Sequence, residues 1–190
     1  MGNSVSGAVL EANQITRVLA AGLFAGSEPE SMLAEDFLGG ESSAAPAQGD
    51  QIVRGNFSTQ WQIATSSADG FRFNDMARED SKEYSAGYLS FYLTSPRRLD
   101  NLLIEPNVPQ LYLNVEVGCG LRVWLNGKEI FTSGQNPEKP FNRQISLLLQ
   151  KGNNQVLMKL VNANPDHAVK VFLSSSPADF VEVLTSAVAK

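Results

Sequence analysis

Alternation of apolar and polar residues runs through the chain from about residue 57 onward, and it predicts strands rather than helices. The cleanest alternation covers residues 110–117, so this segment is predicted to be a half-buried strand. Residues 155–161 are apolar on both faces, which predicts a central strand covered on each side. Similar alternation predicts further strands at residues 57–63, 88–94, 145–149 and 169–173.

A hairpin is predicted at residues 121–131, LRVWLNGKEIF, because both positions of a type I′ turn need positive φ and Asn126-Gly127 accepts it readily. A two-residue turn fixes the register. The predicted pairs are Leu125 with Lys128, Trp124 with Glu129, Val123 with Ile130, and Arg122 with Phe131. One face is aliphatic and is predicted to join the core. The other carries Arg122, Trp124, Glu129 and Phe131, and a loop, a partner or a ligand could cover it.

The two ends of the chain carry different patterns. Residues 1–50 are rich in Ala, Gly and Ser, and the apolar run 18–26 predicts a buried strand or helix, being shorter than the roughly 20 residues of a membrane span. Ser176, Pro177 and Asp179 predict an N-cap, a first-turn proline and a first-turn acid. Apolar residues then recur at helical spacing at Phe180, Leu184 and Ala187/Val188. This tail is predicted to be a short C-terminal helix that docks on the domain or folds onto a partner.

Short strands separated by Gly-, Pro- and Asn-rich turns predict an all-β fold, an antiparallel β-sandwich or jelly roll with the short C-terminal helix. The predicted domains are residues 1–175, of which 1–50 are loosely defined, and the helical tail 176–190.

Charge and cysteine content narrow the partners. A formal net charge of -5 with scattered basic residues argues against nucleic acid as a partner. Cys119 is the one cysteine, so no disulfide forms within the chain. The numbering does not open on a basic start followed by an apolar block, so no signal peptide is predicted.

From residue 88 to 174 the chain resembles the galactose-binding-domain-like β-sandwich, found as bacterial carbohydrate-binding modules and as the sugar-binding domain of family 2 glycoside hydrolases. The matching parts are YLSFYLTS, LYLNVEVG, the hairpin VWLNGKEIF, the run ISLLLQKGNNQVLMKLVNA and the strand VKVFLSS. The resemblance implies a carbohydrate-binding jelly roll and an extracellular or periplasmic location. Cys119 and Gly120 stand where such modules often carry acids, which weakens the case for a metal or polar sugar contact there.

Catalytic constellations have little support. Glu35-Asp36, Glu79-Asp80 and Asp69/Asp75 are the acidic clusters, and their polar surroundings favour solvated charges over a glycosidase pair. His167 is the only histidine and follows Pro165 in a turn, so neither a triad nor a transition-metal site is predicted. No cofactor is predicted. Calcium stays open, because loop oxygens of Asp69, Asn74, Asp75 and Asp80 could bind it.

Binding of sugars by stacking on aromatic rings is the chemistry that the composition allows. The candidate platforms are Trp61, Trp124, Tyr88, Tyr92 and Tyr112, with Arg122, Asn126 and Asn114 as polar neighbours. Trp61 is in phase with Phe57 and Ile63 and is predicted to be core. The predicted ligand site is Arg122, Trp124, Asn126 and Glu129.

The predicted function is that of a non-catalytic module that presents its sandwich surface to a carbohydrate or a protein. The alternative is a structural subunit of a larger assembly or filament, which would use the N-terminal segment and the 177–190 tail as connectors.

Overall fold

The computed structural model of the chain describes residues 13–26, 28–67, 69–72, 84–99, 110–118, 120–133, 141–162, 168–176 and 183–187. The strands of this part of the chain are β1 Asn13–Gln14, β2 Arg17–Gly26, β3 Gln51–Arg54, β4 Phe57–Gln60, β5 Gln62–Thr65, β6 Phe71–Arg72, β7 Tyr84–Ser95, β8 Gln110–Val117, β9 Gly120–Leu125, β10 Lys128–Thr132, β11 Phe141–Leu147, β12 Gly152–Asn162, β13 Ala168–Ser176 and β14 Leu184–Ser186. One α-helix, α1 Pro29–Ala34, and a 3₁₀ turn, Glu41–Ser43, complete the described elements.

The strands form two main sheets in which every described pairing is antiparallel. The larger sheet runs β10-β9-β12-β7-β2-β5, with β14 also on β7. The smaller sheet runs β1-β13-β8-β11, with β6 also on β13. A separate hairpin joins β3 to β4. The prediction of an antiparallel all-β fold is therefore confirmed, while the jelly-roll topology and the galactose-binding resemblance stay predictions.

The two sheets share one apolar core, which is the arrangement of a β-sandwich. The smaller sheet contributes Leu113, Val115 and Val171, and the larger sheet contributes Phe91 and Met158 among others. Burial alternates without a break along β8, as the sequence predicted for residues 110–117. The pattern follows from strand geometry, because successive side chains point to opposite faces.

A second apolar cluster lies on the opposite face of the larger sheet, where residues 28–61 pack over the strands. This segment, which we call the cover, contains α1, the 3₁₀ turn and the β3–β4 hairpin. Its buried side chains Met32, Phe37 and Trp61 meet sheet residues that include Tyr88 and Trp124. Strand β12 lies between β7 and β9 and is covered on both faces, so the prediction of a central strand there is confirmed.

The hairpin at residues 121–131 differs from its predicted register beyond the first two pairs. Asn126 and Gly127 have φ of 50° and 78°, as a type I′ turn requires. Leu125 pairs with Lys128 and Trp124 with Glu129, as predicted. A bulge at Ile130 then shifts the pairing to Phe131 with Val123 and Thr132 with Arg122, so the two outer predicted pairs are wrong. The extra residue lets both Ile130 and Phe131 pack against the main core.

The ends of the chain also depart from helical expectations. Residues 17–26 form strand β2, so the strand alternative holds for this apolar run. The predicted C-terminal helix is wrong at residues 184–186, which form β14 and pair with residues 92–94 of β7. Pairing with an existing strand satisfies main-chain groups that a helix this short would leave unpaired at both ends. Residues 177–182 and 188–190 lie outside the described part of the chain.

Among the described residues no helix has the length and apolar character needed to cross a membrane.

Candidate functional site

Four polar side chains meet beneath the cover on the outer face of the larger sheet, and we call them the polar cluster: Glu41, Tyr88, Arg122 and Lys159. Glu41 comes from the 3₁₀ turn of the cover, and the other three come from β7, β9 and β12. Lys159 Nζ lies 3.1 Å from Glu41 Oε1, and Arg122 Nη1 lies 3.6 Å from Glu41 Oε2. The Tyr88 hydroxyl donates to Glu41 Oε1 at 2.5 Å. One carboxylate from the cover thus joins three strands of the sheet.

Lys159 is fully buried, and the cover supplies its remaining partners. Its ammonium group donates to the carbonyl oxygen of Leu33 at 3.2 Å and also to the carbonyl oxygen of Glu35. The same nitrogen lies 4.8 Å from the centre of the Phe37 ring. A buried ammonium group needs such compensation, because its own solvation is lost. Lys159 therefore binds the helix end of the cover to the centre of the sheet.

Burial shifts the pKa values of two members of the polar cluster. The pKa of Tyr88 is raised far above its ordinary value, first by burial and then by its hydrogen bond to Glu41. The pKa of Lys159 is lowered by burial, and the nearby Glu41 carboxylate opposes that change. Tyr88 also accepts a hydrogen bond from the Phe37 amide at 3.3 Å.

Arg122 closes the polar cluster at its solvent side. Its guanidinium group lies 4.9 Å from the centre of the Trp124 ring and bonds Glu129 across the hairpin. It also donates to the carbonyl oxygen of Leu33 at 3.1 Å. The sequence placed Arg122, Trp124 and Glu129 on one face, and the structure brings these three together. A loop, a partner or a ligand could have covered this face of the hairpin, and in the structure a segment of the chain itself covers it.

The four residues of the predicted ligand site are engaged within the fold. Trp124 is 3% exposed, because it packs into the second apolar cluster. Asn126 donates to Asn154 Oδ1 at 2.9 Å and accepts from the Gln155 amide at 2.9 Å, so it ties the turn to β12. Arg122 and Glu129 bond each other. Ligand binding at these residues stays a prediction, and its accessible part is Asn126 and Glu129, which are exposed, with Arg122 half-buried beside them.

The hairpin turn fits closely against the cover. A Cβ atom added to Gly127 would lie 2.1 Å from the carbonyl oxygen of Ser42. A real Cβ cannot approach backbone this closely, so a side chain at this position would displace the 3₁₀ turn that carries Glu41. Glycine is needed at this position for the approach as well as for the turn.

The outer face of the smaller sheet has a different character. Of the side chains that point away from the core here, Tyr112, Asn114, Phe172 and Ser174 on β8 and β13 are half-buried, and Gln144 and Ser146 on β11 are exposed. We call this surface the open face and define it by six residues: Tyr112, Asn114, Gln144, Ser146, Phe172 and Ser174. Opposite one another across the three strands lie Phe172, Asn114 and Gln144 in one row, and Ser174, Tyr112 and Ser146 in the next.

The polar side chains of the open face are linked laterally. Asn114 Nδ2 donates to Ser174 Oγ at 2.6 Å, and Gln144 Nε2 donates to Asn114 Oδ1 at 3.3 Å. The Tyr112 hydroxyl bonds Gln110 on its own strand. Tyr112 and Asn114 were a candidate platform and a candidate polar neighbour from the sequence, and the structure places them two residues apart on one surface.

Other candidate residues are scattered or fall outside the described residues. Trp61 is 3% exposed, so its assignment to the core is confirmed. Asp69 pairs with Arg72 at 2.8 Å, while residues 73–83, Cys119 and His167 lie outside the described part. Within the described residues, no group of three or more His, Cys, Asp or Glu side chains is placed to hold a metal ion.

Two members of the polar cluster, Glu41 and Lys159, were not identified from the sequence. Lys159 carried a usable signal, because it interrupts the apolar run VLMKLV in a strand predicted to be buried on both faces. A lysine there needs an acidic or carbonyl partner. Glu41 follows Gly39-Gly40 among small residues and had no periodicity to mark it.

No family model and no curated protein matches the chain. Among solved structures it is similar to the PA14 domain of the antifreeze protein MpAFP, with 11% identity, 98% of this chain and 96% of that chain covered, and a TM-score of 0.48. It is also similar to a PA14 sugar-binding domain from an RTX adhesin, with 13% identity, 93% and 99% covered, and a TM-score of 0.48. A β-glucosidase from Kluyveromyces marxianus has 12% identity and a TM-score of 0.45, and the match covers 66% of this chain but only 15% of the enzyme. No functional conclusion follows from similarity at this level.

Proposed function

We propose that this protein is a non-catalytic binding module whose ligand is a carbohydrate. The observation that supports the proposal is the contrast between the two sheets. The chain covers the outer face of the larger sheet with residues 28–61, and on the smaller sheet it leaves aromatic and amide side chains half-buried or exposed. Rings and amides are the groups that bind sugars, by stacking and by hydrogen bonds to hydroxyls.

A cluster of buried charge among the described residues, Glu41 with Lys159, supports a structural role for the other face. Glu41 is 6% exposed, and its two oxygens already interact with Tyr88, Lys159 and Arg122. A general acid or base must reach the proton that it transfers. Glu41 is closed off by the cover, so the polar cluster holds the cover in place.

Binding of a panel of soluble oligosaccharides to the immobilised protein tests this function. We expect retention of at least one glycan, with the glycan recovered at unchanged mass. Cleavage of a bound glycan would show an enzyme instead, and failure to retain any glycan would contradict carbohydrate binding.

A protein partner or a structural assembly is the alternative, and one observation favours it. Strand β11 pairs with β8 on one side, and no described strand lies on its other side. Such an edge can accept a strand from a second chain. Self-association at rising protein concentration, measured by sedimentation in the absence of glycans, would support the alternative.

A further inference from the structure

We infer that the open face is itself the binding site, and that it takes a neutral oligosaccharide across β13, β8 and β11. This inference rests on the proposed function and assigns a location and a ligand class to it. It places the site on the opposite side of the sandwich from Arg122, Trp124 and Glu129.

The first observation is the arrangement of the rings. Phe172 lies opposite Asn114, and Ser174 lies opposite Tyr112, in adjacent rows of the β13–β8 ladder. Phe172 and Tyr112 are therefore diagonal neighbours, about 7–8 Å apart between Cα atoms. Asn114 and Ser174 occupy the other diagonal and are bonded to each other. Each ring is flanked by groups that can bond hydroxyls, as a sugar ring requires.

The second observation is the state of the hydrogen bonds. Gln144 donates to Asn114, and Asn114 donates to Ser174, so the donors and acceptors form a directed chain across three strands. The Ser174 hydroxyl still has a proton to donate, and the side-chain oxygen Oε1 of Gln144 accepts no bond from another described residue. The chain therefore ends on one donor and one acceptor, and a sugar hydroxyl can serve as partner to either.

The third observation is charge, which selects among ligands. The six residues of the open face are formally neutral, although the whole chain carries a net charge of -5. Glu116 and Lys170, the charged residues in the adjoining row, lie opposite each other in register. Neutral groups flanked by one acid and one base match a neutral glycan and offer little net counter-charge to a polyanion. The ligand class is thus distinguished from acidic polysaccharides and from nucleic acid.

The face is also held rigidly by its backbone. Seven consecutive residue pairs join β8 to β13, and seven join β8 to β11. Inward side chains of the same strands, such as Leu113, Val115 and Val171, are at most 1% exposed. A ligand that binds here meets preformed side-chain positions and incurs little ordering cost.

The inference is tested by measuring the affinity of the protein for neutral hexasaccharides of glucose, xylose and mannose, with polygalacturonate as the charged comparison. The variants are Tyr112→Ala, Phe172→Ala and Gln144→Ala. We expect a loss of about tenfold for each lost ring. Tyr112→Phe keeps the ring and should bind within about threefold of the wild type. Gln60→Ala is the matched control for Gln144→Ala, because Gln60 is exposed on β4 of the cover.

The outcomes separate the inference from the function. If the wild type binds a neutral glycan and the three open-face variants bind it equally well, the inference is wrong and the function stands; loss in Glu129→Ala alone would then move the site to the hairpin rim. If the wild type binds only polygalacturonate, the neutral class is wrong. If no glycan binds, both fail, and self-association lost in Tyr112→Ala would assign the open face to a second copy of the chain. Phe172→Ala and Gln144→Ala keep the inference testable should Tyr112→Ala fail to fold.

Discussion

The outer faces of the two sheets show how one alternating pattern serves two purposes. On the larger sheet the outward residues include Tyr88, Trp124 and Lys159, all at most 3% exposed beneath the cover. On the smaller sheet the outward residues Tyr112 and Phe172 remain half-buried. Aromatic residues on a strand therefore do not mark a binding surface by themselves. They can bind a ligand only where no other part of the chain covers them. On the larger sheet the cover does so, and the buried carboxylate of Glu41 anchors it.

The largest effect on stability is expected at Glu41. Glu41→Gln leaves the ammonium group of Lys159 buried without a counter-charge, so we expect the free energy of unfolding to fall by about 3–5 kcal/mol. Urea denaturation measures this. Glu35→Gln is the matched control, because Glu35 pairs with Arg54 at 3.0 Å with both side chains more than a third exposed. Its expected loss is about 0–1 kcal/mol. Equal losses in the two variants would contradict the anchoring role of Glu41.

The pairing of Glu41 with Lys159 predicts strong coupling between them. Lys159→Met removes the buried charge and fills much of its volume, so the double variant Glu41→Gln/Lys159→Met should be more stable than the sum of the single losses implies. We expect a coupling free energy of about 1–3 kcal/mol from the four-protein cycle. Additive losses would show that the 3.1 Å contact contributes little to holding the cover.

Because of Tyr88, we expect the stability of the protein to fall as the pH rises in the alkaline range. Its pKa in the folded protein is raised above the ordinary 10.0, so the stability it contributes is present below pH 10 and is lost as the pH rises, because the unfolded chain alone releases the proton. The free energy of unfolding of the wild type, relative to that of Tyr88→Phe, should therefore fall by about 1.4 kcal/mol per pH unit above pH 10. Burial lowers the pKa of Lys159, so its effect on stability opposes that of Tyr88 up to the ordinary lysine pKa of 10.5. The two proteins should therefore be compared above pH 10.5.

Thermal unfolding from pH 10.5 to 11.5 measures this difference. Tyr112→Phe, which removes a phenolic hydroxyl outside the cover, is measured beside it as the control. Parallel curves for Tyr88→Phe would show that its hydroxyl group is not held beneath the cover.

The smallest effect on stability is expected on the open face. Asn114→Ala removes two hydrogen bonds, to Ser174 and from Gln144, at a site with access to water. Water can replace both, so we expect a loss of less than about 1 kcal/mol. A loss as large as that of Glu41→Gln would mean that the open face, too, serves the fold.

Local patterns predicted the strands well and the covering segment poorly. Residues 110–117 form the strand that their alternation predicts, because burial of one face fixes the period. The bulge at Ile130 was not foreseen, since a turn fixes only the register next to it. Leu184 followed a helical spacing and formed a strand instead, because residues 92–94 of β7 extend beyond its pairing with β2 and accept β14 there. Propensity is a weak prior where tertiary pairing competes.

The site was harder to predict for the same reason. Trp124 was correctly placed on one face with Arg122 and Glu129, but nothing local indicates that residues 28–61 fold over it. Glu41 and Lys159 are 118 positions apart, and contacts over such distances leave no period in the sequence. Tyr112 and Asn114 could be chosen because they share a strand, whereas Phe172 joins them only through the β13–β8 register.

Mapping of backbone amide chemical shifts on addition of neutral hexasaccharides shows which face of the sandwich binds the ligand. We expect changes concentrated at residues 110–116, 142–146 and 170–176, which lie in the strands of the open face. Changes concentrated at residues 122–129 would contradict it, because they would place the ligand at the hairpin and the cover instead.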